Sequence, residues 1–189
     1  MNWTVRLIGA AVAAGFVSVV MPFAAGGADD ETSPIYHVGI PAGYRDWHLV
    51  AVGQLSGKSL DGSGGNLMQL RAQLANDIAI KAFQDGTRPF PDGSMIAALH
   101  WTEAGSDSNN KVLAGGFPGA GLQSSTVDQA VNVQFMVKDS KKYAVTGGWG
   151  FADFKNGKPG DEALHKTCFA CHEPARDRDY VFTRYAPTP

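Results

Sequence analysis

Residues 131–137 alternate strictly: Val131, Val133, Phe135 and Val137 face one way, Asn132, Gln134 and Met136 the other. A period of two does not suit a helix, so this segment reads as a strand with one apolar and one polar face. Around it the chain is interrupted by 23 Gly and 10 Pro, which favours several short strands over a helix bundle. At 189 residues it can form one domain with a sizeable core, and 44% apolar against 18% charged residues excludes a disordered chain. A formal net charge of −2 argues against nucleic acid as the partner.

The same signals predict the neighbouring elements. Residues 44–52 read as a strand, or as a short helix followed by one, residues 56–66 as a loop and residues 67–74 as a strand. Asn76 and Asp77 cap a short helix over 78–84 that stops at Asp85-Gly86. Arg88-Pro89-Phe90-Pro91-Asp92-Gly93 is a turn, because its two prolines remove ladder donors. Further strands are expected over 94–102 and 148–154, and a helix over 161–171, whereas residues 103–123 are glycine-rich and poorly patterned.

The N-terminus stands apart. Arg6 precedes an apolar run from Leu7 through Ala25, then Gly26-Gly27-Ala28 gives way to Asp29-Asp30-Glu31. That is the layout of a secretory signal peptide over residues 1–28, leaving residues 29–189 as the mature domain, expected in the periplasm. The run could also span a bilayer as an uncleaved anchor, but Gly, Ala and Ser dilute it and small residues sit where a signal peptidase cuts.

Both cysteines of the chain fall in Cys168-Phe169-Ala170-Cys171-His172. This C-x-x-C-H pattern attaches haem: two thiols on one helical turn can each bond the porphyrin, and the adjacent imidazole of His172 can reach the iron. A redox dithiol would leave the neighbouring histidine unexplained, and a zinc site would need a second ligand pair. Each of His37, His48, His100 and His165, taken alone, reads as a surface or packing residue rather than a ligand.

Followed by Asp179-Tyr180-Val181-Phe182-Thr183-Arg184-Tyr185-x-Pro187, this motif resembles the C-terminus of the cytochrome P-460 / cytochrome c′-β family. The likeness extends upstream through Tyr44-Arg45-Asp46-Trp47, residues 89–93 and Val137-Lys138-Asp139-Ser140-Lys141-Lys142-Tyr143. The resemblance implies a mainly β (α+β) domain: an antiparallel sheet with a few helices, the C-terminal one carrying the haem-attachment motif. It also implies a homodimer and one haem c held through Cys168 and Cys171, with His172 as proximal iron ligand.

Family members bind small ligands such as nitric oxide at an open iron position, and one branch oxidises hydroxylamine. That branch cross-links a lysine to the porphyrin, and the matching position is Ala98. Its distal carboxylate falls on Gln134, and its strand arginine falls on Arg71. An amide can hydrogen-bond a ligand but cannot take a proton from hydroxylamine at neutral pH. The leading expectation is therefore a ligand-binding cytochrome for nitric oxide, carbon monoxide or a hydroxylamine-like molecule, with Gln134 and Arg71 shaping the pocket. The rivals are an electron carrier serving a redox partner protein, which would favour a second strong axial ligand, and a hydroxylamine-oxidising enzyme. Met136 and His100 lie on faces that could reach the haem, and Phe83, Phe90, Phe117 and Phe135 are candidate caps for the iron.

Overall fold

The computed structural model describes residues 31–58 and 65–186. The expected signal peptide lies outside them, as does most of the expected loop over 56–66. No described helix is long and apolar enough to cross a membrane.

Six described strands run in sequence order through one antiparallel sheet: β1 (His48–Lys58), β2 (Asn66–Ala75), β3 (Met95–Gly105), β4 (Ser125–Lys138), β5 (Trp149–Lys155) and β6 (Lys158–Pro159). Two described α-helices interrupt the meander, α1 (Asp77–Asp85) and α2 (Asp107–Gly116), and a third, α3 (Glu162–His172), follows its last strand. The mainly β fold with a C-terminal motif-bearing helix is the architecture anticipated above.

The register fixes which side chains share a face. Gln73 opposes Ala98, Ala98 opposes Gln134, and Gln134 opposes Asp153, so these four form one row across β2–β5. On one side of it runs the row Arg71, His100, Asn132; on the other, Ala75, Ile96, Met136, Phe151. The reverse face carries Leu74, Ala97, Leu99, Phe135, Ala152 and Phe154, all buried. Phe135 meets Tyr44 edge-on at 5.1 Å and Phe154 at 6.1 Å, and burying such a ring contributes about 1.5–3 kcal/mol.

The turn chemistry works as anticipated at α1. The Asn76 side chain accepts from Ala79 N and Met95 N, each at 3.0 Å, and donates to Gly93 O at 2.8 Å. One amide thus caps the helix and ties it to the start of β3, while Gly86 closes it in the left-handed region. In α3, Asp161 caps the helix by accepting from Leu164 N at 2.8 Å. His165, fully buried, donates from Nδ1 to Asp161 O at 2.8 Å and accepts at Nε2 from Asp153 N at 3.2 Å. Both ring nitrogens are occupied, so His165 fastens α3 to β5.

Three expectations change. Residues 56–58 continue β1 instead of opening a loop. A helix, α2, forms within the unpatterned segment; none of its residues is buried, so it has no amphipathic stripe to read. Its Asn110 side chain accepts from Ser124 N at 2.6 Å, closing the excursion between β3 and β4. Finally, His100 opposes Asn132 while Trp101 opposes Ala130, so Val131 bulges out of the ladder and strict alternation begins only at Asn132.

Candidate functional site

Helix α3 brings Cys168, Cys171 and His172 onto adjoining positions of its last turn. Cys168 is half-buried and Cys171 exposed. Burial, then the neighbouring Asp153 carboxylate and Cys171, push the Cys168 thiol up to about 11. His172 Nδ1 lies 2.7 Å from Tyr180 O. A carbonyl only accepts, so Nδ1 carries the proton and Nε2 presents a lone pair. That is the tautomer a metal-ligating imidazole needs, with its other nitrogen held by an oriented acceptor. Burial lowers the proton affinity of His172, partly opposed by the bond to Tyr180. Its ring packs against Phe151 and Phe182, each 5.0 Å away between centroids.

The acceptor is itself held under strain. Asp179 (φ 53°) and Tyr180 (φ 64°) are consecutive left-handed residues, a conformation costing about 1–2 kcal/mol for each L residue. Lys138 Nζ binds both Asp179 oxygens at 2.8 and 2.9 Å, and Phe90 N donates to the same carboxylate at 2.7 Å. Trp149 Nε1 donates to Asp179 O at 2.9 Å. Lys138 also donates to Gly147 O at 3.0 Å and lies 4.9 Å from the Trp149 ring centroid. Gly147 has φ 67°, and a Cβ there would come within 2.1 Å of the Tyr180 ring; only glycine lets that ring lie so close.

The other half of the site is the sheet face defined by the row of Gln134. Arg71 and Gln134 occupy this face in adjacent rows, two strands apart. Gln134 Nε2 donates to Asp153 Oδ2 at 2.8 Å, and Asn132 Nδ2 donates to the same oxygen at 2.6 Å. Asp153 is buried and no cation pairs with it among the described residues. His100 Nδ1 donates to Gln69 Oε1 at 3.1 Å, leaving Nε2 as a bare acceptor. Burial, then the Arg71 guanidinium, depress His100 to about 4, and burial also lowers the proton affinity of Arg71. His100 Nε2, Arg71 Nε and Asn132 Oδ1 are all buried without a hydrogen-bond partner.

Each such orphan costs about 1–3 kcal/mol, so three in one row mark a surface shaped for a group supplied from outside the chain. Sheet spacings measure its reach. Strands lie about 4.8 Å apart with a rise of about 3.4 Å per residue, which puts Asp153 roughly 7 Å from Phe151, Gln134 roughly 8 Å and His100 roughly 17 Å. Two thiols on one turn, an imidazole with Nε2 free, aromatic walls and an orphaned polar row together fit a haem. Cys168 and Cys171 would hold it and His172 would ligate its iron.

Several of these groups escaped sequence reasoning. Asp153 was legible only as a charge within the apolar strand Trp149–Lys155, on the same side as Phe151. Lys138 and Tyr180 belong to quoted motifs, but nothing in the spacing says that one supports the other. Among the described residues, none of the four candidate aromatic caps makes a ring contact with His172. Phe83 and Phe90 pack against each other at 4.9 Å, Phe135 is on the reverse face and Phe117 is exposed. The rings on His172 are Phe151 and Phe182, which tertiary structure alone brings together. Met136 lies directly across the ladder from Phe151 and is buried in the core.

No curated protein matches the chain. The family model for cytochrome P460 matches residues 41–183, a span that includes the sheet, α3 and the Tyr180 turn. With three quarters of its length matched, the chain belongs to the cytochrome P460 family, a family of haem c-type cytochromes.

Proposed function

We propose that the mature protein is a periplasmic mono-haem cytochrome that binds small ligands, nitric oxide foremost, at an open iron position. The observation that carries this reading is the His172–Tyr180 bond of 2.7 Å, which commits Nδ1 and leaves Nε2 as a ligand. Thioethers from Cys168 and Cys171 would fix the group to α3, and Arg71 and Gln134 would border it from the sheet. Haem iron supplies an electrophilic, redox-active centre for a ligand such as nitric oxide or carbon monoxide.

The chain's own residues do the rest. Phe151 and Phe182 pack against the His172 ring, and the Tyr180 carbonyl raises the basicity of the imidazole and fixes its orientation. Ala98 places a methyl group in the row with Gln134, so no amine is offered there for a porphyrin cross-link. This favours an ordinary c-type spectrum over that of the cross-linked branch. The roughly 17 Å of sheet between His100 and Phe151 weighs against an electron carrier with His100 as second axial ligand. Export by the segment at 1–28, assembly as a homodimer and service to a redox partner protein complete the reading; they rest on the leader pattern and the family likeness.

The test is the absorption spectrum of the reduced protein before and after carbon monoxide. We expect a spectrum without the red-shifted band of the cross-linked branch, changing on addition of carbon monoxide, with the haem retained by the denatured chain. A reduced spectrum that carbon monoxide leaves unchanged would mean a filled sixth position and sink the proposal.

A further inference from the structure

A carboxylate buried without a cation is costly unless its lone pairs are satisfied. Asp153 is 6% exposed and is met by two neutral amides, Gln134 Nε2 and Asn132 Nδ2. Both converge on Oδ2, leaving Oδ1 without a side-chain donor. The backbone of Asp153 is meanwhile occupied: its N–H goes to His165 and its carbonyl receives Gly160 N at 2.9 Å. The residue is thus locked from behind, with one oxygen uncommitted.

Its surroundings are those of the candidate site. Asp153 shares a face of β5 with Phe151, whose ring lies against His172. It is close enough to Cys168 to raise the thiol's proton affinity. The next row holds His100 Nε2, Arg71 Nε and Asn132 Oδ1, buried and unpartnered. The other buried carboxylate among the described residues, Asp179, is neutralised by Lys138. Asp153 differs in having amides as its only side-chain partners among the described residues, on a face that leaves three buried polar atoms unpaired.

We propose that Asp153 is the specificity-determining carboxylate of this site. Its Oδ1 accepts a hydrogen bond from a small ligand carrying N–H or O–H next to the atom bound to iron, while Gln134 and Asn132 hold the carboxylate in place. The inference rests on the ligand-binding reading above. It moves the discriminating group one strand across from Gln134, so an amide at position 134 does not leave the face without a proton-accepting group. A ligand with no hydrogen, such as carbon monoxide, gains nothing from Asp153; a donor ligand gains a charge-assisted bond.

The test titrates the holoprotein by absorption: the ferric form with hydroxylamine, without oxygen, and the ferrous form with carbon monoxide. Replacing the charged acceptor by a neutral one in Asp153→Asn is expected to weaken hydroxylamine binding about tenfold, since hydrogen bonds to charged groups are roughly twice as strong as neutral ones. Carbon monoxide affinity should stay within about twofold on the same grounds. If Asp153→Asn fails to retain haem, Asp153→Ser carries the same comparison. Equal hydroxylamine affinity in variant and parent, or equal loss for both ligands, overturns the role of Asp153. A parent protein that binds neither ligand overturns the ligand-binding reading instead.

Discussion

The two walls of the site treat polar groups in opposite ways. On the His172 side every decisive group has a partner. The imidazole donates to Tyr180, the turn at Asp179 is gripped by Lys138, Phe90 and Trp149, and two aromatic rings pack against the imidazole. On the sheet side Arg71, His100 and Asn132 each keep a buried atom unpaired, and Asp153 keeps an oxygen uncommitted. The first wall uses its hydrogen bonds to hold a strained geometry. The second leaves three buried atoms of one row unsatisfied, a cost that a group supplied from outside the chain would relieve. Substitutions should therefore cost stability on the first wall and ligand binding on the second.

The sharpest break is Asp179→Ala. Lys138 and Asp179 are 5% and 8% exposed, and removing one partner of such a pair leaves a buried charge uncompensated, at about 3–5 kcal/mol. Phe90 N loses its acceptor too, and the left-handed turn loses the contacts that offset its strain. Denaturant unfolding should show the loss. Because Tyr180 orients His172, the reduction potential of the holoprotein should shift as well. A stable variant with an unchanged potential would show that the turn does not govern the proximal histidine.

How much of this was legible beforehand follows from the range of each interaction. The turn at 88–93, the Asn76 cap, the strand after residue 131 and the C-x-x-C-H helix were readable, because their causes lie within a few residues. The faces of β2, β3 and β4 were readable too: Arg71, Ala98 and Gln134 share one face as alternation implies. What was not readable depends on partners far along the chain. Asp179 meets Lys138 across 41 residues, and Asp153 meets Gln134 across 19. No local pattern reports such a pairing. Helix α2 failed for another reason: it buries nothing, so the apolar period that reveals a helix is missing.

The second wall makes its own prediction through pH. His100 is depressed to about 4 by burial and by Arg71, whereas an unfolded histidine titrates near 6.5. Between those values the unfolded chain binds the proton more readily, so stability rises with pH. The contribution is fully present above about 6.5 and is lost as pH falls toward 4, amounting to roughly 3 kcal/mol at most. His100→Gln should therefore flatten the acid slope. Unfolding midpoints at pH 7.5 and 4.5 in parent and variant measure the difference; parallel slopes would remove His100 from the acid response.

The mildest effect should come from Arg71→Met, and its smallness is informative. The guanidinium is partly desolvated, its Nε is buried without an acceptor, and it forms no ion pair among the described residues. Methionine keeps an unbranched apolar stem and removes the orphaned donor, so the change in stability at pH 7 should stay within about 1 kcal/mol and can take either sign. His100 registers the loss more clearly. Without the neighbouring positive charge its pKa rises from about 4 toward the ordinary value, and NMR titration of its ring protons should follow that rise. The acid window then narrows, because a histidine nearer its unfolded pKa contributes less linkage. A loss of several kcal/mol in Arg71→Met would mean that the arginine supports the fold as Lys138 does, and the contrast between the two walls would fail at its weakest point.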